Sequence, residues 1–288
     1  MPRPGPRAAL VVALGCLCSL CACWAPGPNL APPPFDSGRA YKKVQVVAHR
    51  GANEYAPENT YAAARLCVEW GLDYIEVDVR QSRDGVFYLL HDANLRRTTD
   101  GSGWIRRRDS TYIDGLDAGT WFSPEFAGEK VPRLGPFLRW ARGRIKVYLD
   151  AKIDPNSIEA LVDTVRAAGL EKEDAFFWFG TDGKELEFRR VAPDLQLMTN
   201  AYSADDVVRA HERYRADVVE TELPWITPEL VEQCRRYGIR LMLVANSKDP
   251  EAYRRILLWG ADLVNLNHAD AFLAVQRAFL RQANNNPF

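Results

Sequence analysis

A chain of 288 residues, 47% hydrophobic and 26% charged, has the composition of a folded globular protein and the length of one large domain or two small ones. Its 37 basic and 38 acidic residues leave a formal charge of −1, so charge alone points to neither a nucleic acid nor a membrane surface as partner. The run Arg106-Arg107-Arg108 reads as an ordinary solvated face.

The first 40 residues stand apart from the rest. Arg3 and Arg7 precede an uncharged apolar stretch at residues 8–20, the pattern of an export signal and short for a membrane span. Leu20-Cys21-Ala22-Cys23 then resembles the lipobox of bacterial lipoproteins, in which the last cysteine becomes the acylated first residue. A plain cysteine-rich signal peptide is the alternative. Residues 24–40 contain Pro26, Pro28, Pro32, Pro33 and Pro34 and read as an extended tether. Four of the 6 cysteines lie in the signal; only Cys67 and Cys234 remain in the domain at 41–283, both in helix-like apolar patterns, and no disulfide framework follows.

After Tyr41, short apolar β-branched runs alternate with amphipathic segments. Strands are expected at 45–48, 74–79, 86–90, 146–149, 175–179, 196–199, 218–221, 240–244 and 263–266. Helices are expected at 60–70, 157–168, 183–191, 204–214, 228–237 and 251–258, with Gly71, Gly169, Gly238 and Gly260 as C-terminal stops. Near-continuous apolar strands separated by helices imply a parallel sheet covered on both faces, and about eight such units imply a closed (β/α)8 TIM barrel. An open doubly wound sheet is the competing architecture, but no dinucleotide or P-loop glycine motif follows the first strand. Residues 93–134, rich in Gly, Thr, Asp and Arg with Trp104, Trp121, Phe122 and Phe126 among them, show no βα unit. They read as a small insertion after the strand bearing His91, over the active-site face.

The chemistry-bearing residues cluster at strand ends. Two of the 4 histidines, His49 and His91, follow apolar runs, where two imidazoles at one barrel mouth can act as base and acid near neutral pH. Glu76 and Asp78 are two apart on a strand, so both face inward. Two carboxylates inside a barrel repel unless a cation joins them, and oxygen ligands favour Mg²⁺ or Ca²⁺; a salt bridge to a nearby Lys or Arg is the alternative. Asp150 ends another strand and can complete that metal site, with Lys152 at the same-face spacing and Arg50 beside His49 as donors for a phosphate. Within Glu58-Asn59-Thr60, Asn59 or Thr60 is a reasonable helix N-cap. Glu220 reads as a structural barrel carboxylate, and His211 and His268 as structural or surface residues.

Taken together these motifs resemble the glycerophosphodiester phosphodiesterase family over roughly residues 46–270. The strongest parts are His49-Arg50-Gly51-Ala52, Pro57-Glu58-Asn59-Thr60, Glu76-Val77-Asp78, Asp84-Gly85 and His91-Asp92-Ala93-Asn94-Leu95-Arg96-Arg97-Thr98-Thr99, followed by Gly101-Ser102-Gly103 and Leu116-Asp117-Ala118-Gly119-Thr120-Trp121-Phe122. The resemblance implies metal-dependent hydrolysis of glycerophosphodiesters to an alcohol and sn-glycerol 3-phosphate. His49 and His91 would be the acid–base pair, and Glu76, Asp78 and Asp150 the ligands of one divalent cation, Mg²⁺ or Ca²⁺. Arg50 and Lys152 would hold the phosphate. The family often has glutamate at the position of Asp150, tryptophan where Leu243 stands, and Thr-Asp-Arg-Pro where this chain has Leu266-Asn267-His268-Ala269. These departures leave the chemistry in place and bear on the alcohol side of the substrate. A phospholipase-like action on (lyso)phospholipids and a catalytically silent glycerophosphate-binding lipoprotein are the competing readings. The expected partners are a small-molecule glycerophosphodiester and a membrane reached through lipid on Cys23, in an exported protein of the cell envelope, with no nucleic acid and no evident protein partner.

Overall fold

The computed structural model describes residues 29–36, 40–180 and 183–284. The export signal and Cys23 lie outside the described residues. After β1 (Gln45–Ala48) and α1 (Tyr61–Glu69), β2 (Tyr74–Gln81) folds back through β3 (Phe87–Leu89), and an excursion with the one-turn helix α2 (Ser110–Ile113) leads to α3 (Leu134–Ala141). Regular units follow: β4 (Lys146–Ala151) and α4 (Ile158–Ala167), β5 (Ala175–Trp178) and α5 (Lys184–Val191), β6 (Gln196–Asn200) and α6 (Ala204–Tyr214). The chain continues through β7 (Val218–Glu222) and α7 (Pro228–Tyr237), β8 (Arg240–Ala245) and α8 (Pro250–Trp259), then β9 (Leu263–Leu266) and α9 (Ala269–Asn284).

Every strand except β3 is parallel to its neighbours, and β1 pairs with both β9 and β2. The sheet is therefore a closed (β/α)8 barrel, not an open doubly wound sheet. Side chains alternate across its wall as the two-residue period requires. Ile75, Val77, Val79, Val147 and Leu149 point outward into the helix layer, while Val47, Tyr74, Tyr148, Phe176, Met198, Val218, Met242 and Leu263 fill the bore. The Tyr148 and Phe176 rings stack at 4.7 Å. At the N-terminal end Arg240 Nη1 donates to the Tyr74 hydroxyl at 3.2 Å and Nη2 to Gln196 Oε1. The bore is plugged, and the buried carboxylates Glu76, Asp78, Asp150 and Glu220 gather at the C-terminal mouth. Cys67 and Cys234 are free, buried thiols.

The strand that delivers His91 is not a barrel stave. β3 runs antiparallel to the overhanging end of β2, pairing Leu89 with Val79 and Phe87 with Gln81. β2 rises past the mouth and β3 descends to it, so Leu90 N–H bonds the Asp78 carbonyl at 3.0 Å and His91 arrives at the level of the carboxylates. The interruption in the βα rhythm therefore starts at the turn after Gln81, and it carries a small core of its own: Tyr88, Leu90, Leu95, Ile105, Ile113, Leu116 and Val131. Helix α3 closes this unit. Gly135 and Pro136 both fall in its first turn, where backbone N–H groups have no helical partner to lose.

Candidate active site

The turn after β1 is unusual in its backbone. Arg50 and Gly51 both have positive φ, 56° and 80°. A Cβ on Gly51 would lie 2.8 Å from the Ala63 methyl, so only glycine fits. This turn aims the Arg50 N–H at Glu76 Oε2, 2.6 Å away, and sets His49 at the rim with its Nδ1 2.7 Å from Asn267 Oδ1. Asn53 Nδ2 donates to the same oxygen at 2.9 Å. With that oxygen accepting, the neutral imidazole carries its proton on Nδ1 and leaves Nε2 basic. Burial pushes the His49 pKa below the usual value; the Asn267 bond opposes the shift without cancelling it.

Glu76, Asp78 and Asp150 come together as expected, each offering an oxygen within 4.8 Å of the others. The parallel register places Asp78 opposite Asp150. Burial, reinforced by the charges of Asp78 and Asp150, holds the Glu76 pKa well above the carboxylate range. Burial likewise raises Asp150 to about 6, against the pull of Lys152. For Asp78, burial alone would raise the pKa, but Lys152, Asn59 and Arg50 bring it below the ordinary value. Three buried carboxylates with excess negative charge form a hard-oxygen donor set suited to a divalent cation. The salt-bridge alternative is present in the same atoms: Lys152 Nζ lies 2.8 Å from Asp78 Oδ1 and also bonds Asp150, while Arg50 Nε lies 3.4 Å from Asp78 Oδ2.

His91 is held by neighbours of its own. Its Nδ1 is 2.7 Å from Asp92 Oδ1, and Arg97 grips Asp92 and Glu58 together with contacts of 2.7–3.1 Å. The Arg97 hydrogen bonds hold Asp92 well below the usual carboxylate range. Glu58 also meets Arg50 Nη1 at 3.3 Å, so one ionic chain links the two histidine-bearing segments. Thr60 caps α1, accepting from Ala63 N–H. Asn59 does something sequence did not indicate. Buried and at φ 58°, it accepts from the Asp78 N–H at 3.0 Å and donates to Asp78 Oδ2 at 2.7 Å.

A cavity of about 210 Å³ opens inside the mouth, lined by His49, Glu76, Asp150, Trp178, Glu220 and Asn265 among others; His91, Glu58 and Asn59 border a separate, smaller cleft. Glu220, expected to be structural, faces this cavity; burial lifts its pKa to about 7 although Asn265 hydrogen-bonds it. On β8 the cavity-facing residue is Val244, whereas Leu243 points into the helix layer. A tryptophan at position 243 would therefore pack in the helix layer and not in the cavity. Trp104 and Trp121 are exposed on the excursion and do not line this cavity. His211 stacks on Tyr237 at 4.3 Å, and His268 lies 3.8 Å from Glu54, both away from the carboxylates.

Known proteins share this sequence pattern and fold. Residues 49–271 match the model of the glycerophosphoryl diester phosphodiesterase family. A glycerophosphodiester phosphodiesterase of Caldanaerobacter subterraneus subsp. tengcongensis is 30% identical over 206 residues, 69% of this chain and 84% of that protein. The Bacillus subtilis protein YhdW is 39% identical over 115 residues, 40% of this chain and 47% of that protein. The crystal structure of a glycerophosphodiester phosphodiesterase from Agrobacterium tumefaciens superposes with a TM-score of 0.75 at 36% identity, covering 81% of this chain and all of that one. The chain belongs to the glycerophosphoryl diester phosphodiesterase family and is an enzyme of that class.

Proposed function

We propose that the protein hydrolyses glycerophosphodiesters to an alcohol and sn-glycerol 3-phosphate, using His49 and His91 as the acid–base pair and one divalent cation, Mg²⁺ or Ca²⁺, on Glu76, Asp78 and Asp150. The observation that carries this reading is the meeting, in one mouth, of the carboxylate triad with an imidazole whose Nδ1 is locked by an acceptor. Glu76, Asp78 and Asp150 would hold the cation, which would supply Lewis-acid polarisation of the phosphoryl oxygens. Asn267 keeps the His49 proton on Nδ1, so Nε2 takes the proton of the attacking hydroxyl, either of water or of the substrate's own glycerol; in the second case the cyclic phosphate formed is then opened by water. Asp92, anchored by Arg97, orients the His91 ring, which delivers a proton to the leaving alkoxide. Arg50 and Lys152 supply fixed positive charge for the phosphate. Glu220, Asn265 and Val244 shape the opposite wall, where the alcohol or the glycerol hydroxyls lie.

The same reading extends to location. Arg3, Arg7, the apolar stretch and Leu20-Cys21-Ala22-Cys23 support export and lipidation of Cys23, giving a protein anchored at the cell envelope. Among the described residues no helix is long and apolar enough to cross a membrane, so the anchor would be the lipid itself. Purified protein offered glycerophosphocholine and lysophosphatidylcholine tests the chemistry. Choline and sn-glycerol 3-phosphate released faster from the first are expected. Faster cleavage of the second would favour the phospholipase-like reading, and cleavage of neither, with binding of glycerol phosphate, the silent carrier. Mass spectrometry of the mature N-terminus tests the anchor; an unmodified Cys23 would contradict it.

A further inference from the structure

Where the described chain begins fixes which end of the barrel an N-terminal anchor would hold. Asn29 N–H bonds the Pro224 carbonyl at 2.8 Å, and Pro224 follows the C-terminal end of β7, at the mouth. Arg255 of α8 secures this point, with Nη2 2.8 Å from Asn29 Oδ1 and 3.1 Å from the Leu30 carbonyl. The segment then descends the outside of the barrel. Pro32, Pro33 and Pro34 border a groove with α7 and reach Trp259 at the far end of α8. Phe35 stacks on Tyr41 at 5.5 Å and meets Phe279 edge-on, and Lys42 pairs with Asp262 just before β9, at the plugged end. The chain preceding Asn29 therefore departs from the rim of the mouth, not from the base. Cys23 lies six residues earlier, a reach of at most about 20 Å even fully extended.

The chemistry of that rim is a second, independent observation. Six large hydrophobic residues are notably exposed among the described residues, and five of them belong to the mouth end: Leu30 (40%), Tyr55 (48%), Trp104 (47%), Tyr112 (38%) and Trp121 (39%). Tyr55 follows β1; the other three aromatics sit on the excursion that leaves and rejoins the barrel at the end of β2. Beside them Arg96, Arg106 and Arg107 are exposed, and none has an ion-pair partner among the described residues. The Arg106 guanidinium lies 5.9 Å from the centre of the Trp104 ring. Exposed tryptophan and tyrosine interleaved with unpaired arginine match the head-group layer of a bilayer, where aromatic rings are half wet and anionic lipids attract cations.

We propose that the mouth of the barrel and its excursion lie against a lipid bilayer, with aromatic side chains at the head-group layer and Arg96, Arg106 and Arg107 on anionic lipid. The catalytic cavity then opens at the membrane surface. This orientation rests on lipidation of Cys23, and the experiment separates the two. Full-length protein is purified from membranes, its N-terminal mass measured, and the protein reconstituted into phosphatidylcholine–phosphatidylglycerol vesicles carrying a head-group quencher. A thiol-reactive fluorophore is placed by Ser102→Cys on the excursion or by Asp194→Cys before β6, at the base; Cys67 and Cys234 are buried and do not compete. The Ser102→Cys label should be quenched several-fold more strongly than the Asp194→Cys label. The triple change Arg96→Glu, Arg106→Glu and Arg107→Glu should weaken that bias and leave glycerophosphocholine turnover in detergent unchanged. Equal or stronger quenching at position 194 on a lipidated chain would overturn the orientation and spare the anchor. Bias unaffected by the triple change would overturn the surface contact. A Cys23 without lipid, on a chain that does not bind vesicles, would remove both.

Discussion

Asp78 and Asp150 stand side by side as register partners of β2 and β4, and the Lys152 ammonium is the group that keeps their repulsion in check. A bound divalent cation would do the same work for the same oxygens. Replacing Lys152 with Met should lower stability by about 2–3 kcal/mol, below the range for a fully buried pair because Lys152 is 22% exposed. Millimolar Mg²⁺ or Ca²⁺ should restore much of the lost melting temperature in the variant. A variant whose melting temperature ignores both ions would argue that the triad binds no metal.

The two histidines should each be needed for turnover. His49→Ala and His91→Ala are each expected to cost about 10²–10⁴ in kcat, with the fold intact. Burial keeps His49 neutral at pH 7, so the acid limb of kcat/KM should fall below pH 6.5. The Asn267 hydrogen bond raises the His49 pKa, so Asn267→Ala should move that limb to lower pH still. A pH–rate profile shows this directly, and a limb that shifts upward would be wrong for this assignment.

Asn59 and Thr60 separate a clamp from a cap. Thr60→Ala removes one N-cap bond and should cost about 1 kcal/mol. Asn59→Ala leaves the buried Asp78 N–H without its acceptor, removes a donor from the carboxylate and puts alanine at positive φ. About 3 kcal/mol is expected, together with weaker cation binding. Urea denaturation of both variants decides the order, which the geometry fixes as Asn59 above Thr60.

Glu220 makes stability depend on pH in a predictable direction. Its folded-state pKa, raised from 4.5 to about 7, means the native state binds the proton more tightly than the unfolded chain. Its contribution is therefore complete below about pH 4.5 and is lost as pH rises through about 7. Metal-free wild type should lose on the order of 3 kcal/mol relative to Glu220→Gln across that window. A stability difference that stays flat from pH 5 to about pH 8 would place Glu220 in water.

Much of this was legible because barrel strands are buried on both faces. β1, β2, β4 and β6 to β9 announce themselves as apolar runs, and the two-residue period turns Glu76 and Asp78 inward without any structure. What stayed hidden depends on direction and partners. The run ending in His91 reads like another stave, since composition does not distinguish an antiparallel return from a parallel one; only the pairing of Leu89 with Val79 does. Asn59 looks like a cap, its positive φ and its two bonds to Asp78 being tertiary facts. Helix α3 hides behind Gly135 and Pro136, and Asn267 meets His49 from 218 residues away.

The central claim is that a cation on Glu76, Asp78 and Asp150 and the His49–His91 pair together cleave a glycerophosphodiester. Turnover of glycerophosphocholine by protein stripped with chelator, then dosed with Mg²⁺ or Ca²⁺, tests it most directly. Activity should vanish on stripping, return with one or both ions in the wild type, and fail to return in Asp78→Asn. Full turnover by exhaustively stripped wild-type protein, with no metal bound, would contradict the account.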